Sequence, residues 1–221
     1  ATPIPTATPT PSPEPEMSVE EMASEVIRLT NIERVKDGSA PLQYHAGLQR
    51  AAMVRAEEIT RKFSHTRPDG TTAETVLLDC GVSNGAGENI AAGQKTPEAV
   101  VRAWMNSSGH RATMLNPNAK YIGVGVCKSP ITGQWLWTQE FSYNPDVKGT
   151  VIFDADGGTF SNNDSQISIS GPEGKIILVS SIEKPTREGY TFAGWEDGIS
   201  GVRIRKNTIK ILATWTPISE S

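Results

Sequence analysis

A chain of 221 residues has room for one generous domain or two modest ones, each able to bury a core. Lys and Arg number 21 against 25 Asp and Glu, a formal net charge of -4, so no overall positive field exists to gather nucleic acid or an anionic membrane, which argues against those partners. Nowhere does an apolar run reach the roughly 18 residues that a transmembrane helix requires.

The opening ATPIPTATPTPSPEPE has almost nothing to bury and reads, over residues 1–17, as an extended Pro/Thr-rich spacer that would hold a folded module away from a wall or membrane anchor. Ser18-Val19-Glu20-Glu21 has the form of a capping box, and apolar residues then recur at helical spacing, so a helix is predicted from Ser18 to Asp37, closed by Gly38. A second helical pattern through Leu48, Ala52, Ala56 and Ile59 runs up to Phe63. The stretch FSHTRPDG follows, with His65, one of three histidines, placed just past a helix C-terminus whose negative pole favours a protonated imidazole.

A short helix is predicted over Thr72 to Leu78, and GAGENIAAG, Gly85 to Gly93, as a glycine loop. Thr96-Pro97-Glu98 combines a capping side chain, proline in the first turn and an acid at the positive pole, which starts a helix through AVVRAWMNS. A helical turn around SGHRATML comes next. YIGVGV and QWLWTQEF then read as strands separated by a turn at Pro130 to Gly133. Helices preceding a small sheet suggest an α+β layered domain over residues 18–147.

Near Asn144-Pro145 the character changes. GTVIFDADGGTF, QISIS, KIILVS, YTFAGW and IKILATW are short β-rich runs between Gly, Pro, Asn and Asp clusters, which predicts a second, mainly β domain over 148–217 and a tail at 218–221.

Familiar sites are excluded by pattern: HExxH and the phosphate loop GxxxxGK[ST] are absent, and GAGENI has Ile90 where a dinucleotide fingerprint needs glycine or alanine. The polar residues that remain are His65, Glu88 and His110. Each has a local explanation: His65 can tie its turn, Glu88 can accept from the glycine loop, and His110 can start a short helix. Together, two imidazoles and a carboxylate are the ligands a zinc-like ion accepts, although they stand too far apart in sequence for one local motif. Cys80 and Cys127 form no CxxC. Paired, they would close a loop worth roughly 4 kcal/mol and fit an oxidising setting; unpaired, they are two small buried hydrophobes.

FSHTRPDG, GENIAAG, AWMNSSGHRATMLNPN and YIGVGV, in that order, closely resemble the motifs of bacterial CAP-superfamily domains, relatives of cysteine-rich secretory proteins. The resemblance covers Ser18 to about Tyr143. It implies an α-β-α sandwich with a central cleft of two histidines and two acids, sometimes holding a divalent metal. By position His65 is the first histidine, Glu88 the first acid and His110 the second histidine. Ser107 stands where the second acid is expected, and a hydroxyl is a far weaker zinc ligand than a carboxylate. The metal set is then His65, His110 and Glu88, with zinc or another divalent cation as cofactor. Strand alternation puts Gln139 and Glu140 on opposite faces, so at most one is expected to point inward.

From about Lys148 to Pro217 the chain resembles an internalin B-repeat type module, small and β-grasp-like, in which Val151 and Phe153 share a strand face and Tyr190, Phe192, Trp195 and Trp215 pack a very small core. These resemblances imply a secreted or cell-surface CAP protein, tethered through its N-terminal linker. Its cleft would bind a ligand or divalent metal, the partner being a small molecule, a lipid or another surface component. The alternative is a metal-dependent hydrolase acting on peptide or cell-wall material, with His65, His110 and Glu88 holding zinc and lowering the pKa of a bound water toward about 7.

Overall fold

A computed structural model describes residues 17–218; almost all of the expected N-terminal spacer, and the end of the tail, lie outside them. The first helix, α1 (Val19–Asp37), forms as its ends dictate. Ser18 Oγ accepts from the Glu21 amide at 3.2 Å while Glu21 Oε2 accepts from the Ser18 amide at 2.8 Å, and Gly38 closes the helix in the left-handed conformation. A two-residue strand missed in the sequence, β1 (Gln43–Tyr44), leads into α2 (Ala46–Arg61), and α3 (Glu74–Asp79) follows the FSHTRPDG turn.

GAGENIAAG is a strand, β2 (Gly85–Ala92), and not the predicted loop. It runs antiparallel to the later strand Trp135–Ser142, with a register shift between Gly85 and Gly87 that the positive φ of Gly87 accommodates. Glycines that suggested a loop serve instead to bulge one end of a strand. Next come α4 (Pro97–Asn106), capped by Thr96, α5 (Ser108–Met114), and the hairpin β3 (Tyr121–Lys128) and β4 (Trp135–Ser142). The sheet order is β1-β3-β4-β2, so β2 is an edge strand.

Both faces of this sheet are covered. Ile122, Val124 and Val126 of β3 and Trp137 and Phe141 of β4 pack with Met22, Ala23 and Val26 of α1 and Val100, Val101 and Trp104 of α4. The opposite face meets α2, and the alternating glycines of YIGVGV explain how: a Cβ on Gly123 would stand 2.2 Å from the Leu48 carbonyl carbon, and one on Gly125 only 2.0 Å from the Ala52 carbonyl oxygen. The helix backbone rests directly on the strand backbone there, and Thr138 Oγ donates to Ala52 O at 2.7 Å. Arg34 of α1 is fully buried without a carboxylate partner. Its guanidinium donates to the carbonyls of Ala40, Met114, Asn116 and Ala119 at 2.7 to 3.2 Å.

A second, separate core follows. Strands β5 (Lys148–Asp154), β6 (Gln166–Pro172), β7 (Ile176–Leu178), β8 (Tyr190–Trp195), β9 (Gly201–Arg203) and β10 (Ile209–Pro217) carry it, with only short 3-10 turns between them. The order β6-β5-β10-β8 places a parallel pair, β5 and β10, at the centre. Val151 and Phe153 are fully buried, as the alternation predicts, and Phe192 stacks edge-on with Trp195 at 5.4 Å and Trp215 at 5.7 Å. Tyr190 lies under the Arg187 guanidinium, 4.2 Å away.

Candidate functional site

The FSHTRPDG turn is built by its arginine. Arg67 donates to Glu58 on α2 at 2.8 Å, to Thr75 on α3 at 2.9 Å and to Asp79 at 3.2 Å. Asp69 accepts from the Thr71 amide, and the His65 carbonyl accepts from Ala73. With the backbone fixed this way, the His65 ring is free of any role in the turn. Its helix ends at Arg61, so the partner that matters is a side chain and not the helix pole. His65 Nδ1 stands 2.7 Å from Glu88 Oε1, and because a carboxylate only accepts, the proton sits on Nδ1.

Below that pair lies Arg55, whose side chain is 0% exposed. It donates through Nε to Glu88 Oε2 at 2.6 Å, through Nη2 to Glu88 Oε1 at 3.2 Å and to the Ser64 carbonyl, and through Nη1 to Glu58 at 2.8 Å. Burial raises the Glu58 carboxyl, but its bonds from Arg67 and Arg55 outweigh burial and hold it below the usual range.

The next residue of β2 supports the other histidine. Asn89 points to the opposite face, where Nδ2 donates to the His110 carbonyl at 3.1 Å and to Gln139 Oε1 at 3.0 Å; Gln139 in turn donates to Thr30 of α1 at 2.8 Å. Two consecutive side chains of one edge strand therefore carry the two histidines from opposite layers of the sandwich. His65 and His110 meet over a cavity of about 640 Å³, with Ser107 between the helices and Phe63, Ile90 and Trp104 among its apolar walls. Burial, and secondarily the nearby His65, lower the pKa of His110. Replacing His65 by alanine removes the second cause, so the His110 midpoint, followed by NMR, rises in that variant.

Of the sequence-predicted residues, His65, His110 and Ser107 line one cleft and Glu88 lies beneath it. Arg55 and Asn89 were missed as site residues; reading GENI as a strand would have exposed the alternation that sends Glu88 and Asn89 to opposite faces. The two cysteines do not pair. Cys80 packs beside Leu48, Val76 and Val82, whereas Cys127 lies against Ile59, Ile90 and Leu136 and donates its thiol to Ala56 O. Burial raises both thiol pKa values, which leaves them protonated and poorly nucleophilic.

The expectation that at most one of Gln139 and Glu140 points inward also needs correction. Because helices cover both faces of the sheet, Gln139 and Glu140 are both buried, at 0% and 1% exposure. Glu140 stands opposite Glu88 across the β2–β4 ladder. Burial, followed by the Glu88 carboxylate, pushes its pKa well above the ordinary range. A raised folded-state pKa means that the folded chain is favoured at acid pH and loses stability as pH climbs through that pKa. Glu140→Gln abolishes this dependence, so thermal melts of the variant and the parent coincide near pH 4 and diverge in the variant's favour near pH 7.5.

The donor set does not fit a His2Glu metal centre. Both Glu88 oxygens are engaged by Arg55, one also by His65 Nδ1. Among the described residues no group of three or more His, Cys, Asp or Glu side chains is placed to hold a metal ion. A hollow of similar size in the second region, about 660 Å³ against Phe192 and Trp195, offers one charged side chain, Lys184.

An α-β-α sandwich with a two-histidine cleft at its edge strand defines the class of protein. The family of cysteine-rich secretory proteins, CAP, matches residues 27–141, and the chain belongs to it. Residues 150–211 match the Listeria-Bacteroides repeat domain, which replaces the expected internalin B-repeat. YkwD of Bacillus subtilis strain 168, an uncharacterized protein, is 44% identical over 127 residues, covering 56% of this chain and 48% of its own length. The uncharacterized membrane protein YlbC of the same organism is 32% identical over 115 residues, 51% of this chain and 33% of its own. The chain thus spans half or less of the curated relatives it matches. Among solved structures, an extracellular protein containing a SCP domain from Bacillus anthracis strain Ames superposes with a TM-score of 0.50 at 26% identity, over 58% of this chain and 45% of that one. An outer surface protein from Borrelia burgdorferi shares the fold, with a TM-score of 0.51 at 22% identity, over 58% of this chain and 96% of that one.

Proposed function

We propose that this chain is a secreted or cell-surface binding protein, with a CAP domain over residues 18–147, a β module over 148–217 and a Pro/Thr-rich spacer that tethers it. Its cleft takes a ligand with an apolar body and a hydrogen-bonding head. The observation that carries this reading is the occupation of Glu88. With Arg55 on both of its oxygens, Glu88 is spent on holding His65 and is no free general base. Two imidazole edges above apolar walls then suit recognition better than turnover. The extracellular or outer-surface character of the B. anthracis and Borrelia proteins supports the location. Among the described residues no helix is long and apolar enough to cross a membrane.

The test is a saturation-transfer NMR screen of small aryl and alkyl carboxylates and amides. Hits that contact Trp104 and weaken in both His65→Ala and His110→Ala support the cleft; hits indifferent to both substitutions sink it. Hydrolysis of peptides or wall fragments that disappears in both variants would instead establish the hydrolase.

A further inference from the structure

On the α3 side of Glu88, away from the histidine cleft, lies a second, smaller cavity of about 250 Å³. It is lined by Ala73, Glu74 and Leu77 from the α3 segment, Gly85, Gly87 and Glu88 from β2, and Glu140 from β4. Three carboxyl groups from three elements therefore surround one space to which no lining residue contributes a cation. Two of them are accounted for: Glu88 by Arg55 and His65, and Glu74 by solvent at the exposed rim. Glu140 is not. It is 1% exposed, and its Oε1 has no hydrogen-bond partner, a condition that costs stability unless something fills it.

The chemistry of the walls selects what would fill it. Divalent ions need several oxygens, and with Glu88 engaged the cavity has too few to offer. Ala73 and Leu77 supply apolar sides above an acidic floor, which matches a charged head with several N–H donors on a hydrocarbon stem. We propose that this cavity binds a primary alkylammonium group, from a free amine or from the side chain of a lysine. On binding, Glu140 gives its proton to solvent and the ammonium N–H groups donate to the carboxylate that remains. The charged and titratable groups facing Glu140 are Glu88 on β2, Arg55 on α2 and Cys80 at the end of α3.

The probes are n-butylamine, Nα-acetyl-lysine methylamide and, as the neutral isostere, n-butanol, each titrated into the full chain and followed at the Leu77 methyls by NMR. Calorimetry in two buffers of different ionisation enthalpy counts the protons released. The expected result is saturable binding of at least one amine, about tenfold or more tighter than n-butanol, with proton release below the Glu140 midpoint. Binding by butylamine alone assigns the site to free amines; binding by the lysine derivative as well extends it to peptides. In Glu140→Gln, whose fold is checked by its melt at pH 4, affinity falls about tenfold and proton release vanishes. Equal binding of amine and alcohol, equal affinity in the variant, no proton release from the parent, or no saturation overturns the proposal.

Discussion

Gly125→Val yields a chain that fails to accumulate in folded, soluble form. The new Cβ would sit 2.0 Å from the carbonyl oxygen of Ala52, 2.3 Å from its carbon and 2.7 Å from Thr138 Oγ1. Two of those three atoms are backbone, so no side-chain rotation relieves the clash. Separating the layers would break the Thr138 to Ala52 hydrogen bond and open the α2 face of the sheet. Overpacking of this kind costs about 3 kcal/mol or more, a large share of the roughly 5–15 kcal/mol that stabilises a domain. Gly109→Ala is the control, because nothing lies within 4 Å of its Cβ and its φ is not positive; its melting temperature, read by circular dichroism beside that of the valine variant, stays within a few degrees of the parent.

Arg55→Ala destabilises by about 3–5 kcal/mol at neutral pH. The substitution leaves Glu88 and Glu58 buried, at 6% and 12% side-chain exposure, without the guanidinium that faces both. Glu58 retains Arg67, but Glu88 keeps only the imidazole of His65 and faces Glu140 across the ladder. The penalty comes from charge, so protonation relieves it. In the parent, Glu58 is held below the ordinary range, and its contribution, present above that range, is lost as pH falls. In the variant, by contrast, the orphaned carboxylates gain by taking up protons, and the stability gap to the parent narrows from pH 7 toward pH 4.5. Urea melts at both pH values measure it; a constant gap would show that lost packing, and not charge, governs the site.

The sequence made the layers legible because each end signal was local. Ser18 with Glu21, Thr96 with Pro97, and the alternation of Val151 and Phe153 each report on a few neighbouring residues, and the structure realises them. The cleft histidines were also within reach, through motif order and not through spacing. What escaped depended on pairing across the chain. GAGENIAAG is a strand because β4 offers it a ladder, and no count of glycines reveals that partner. Arg55 looks like one more polar residue in a helix until β2 brings Glu88 beneath the FSHTRPDG turn. For the same reason the expectation that at most one of Gln139 and Glu140 points inward failed: a second helical layer buries both faces.

Arg34 has one further effect. It gathers the end of α1, the end of α5 and the Asn116 to Ala119 segment onto a single guanidinium. A seven-residue helix at the mouth of a cleft would ordinarily fray on its own. Because the carbonyl at its end is bonded to α1, α5 is tied to that nineteen-residue helix, and the expected result in hydrogen exchange is that its amides are protected together with those of α1. His110 is therefore carried by a helix whose end is tied to α1 and not left to stand alone at the cleft.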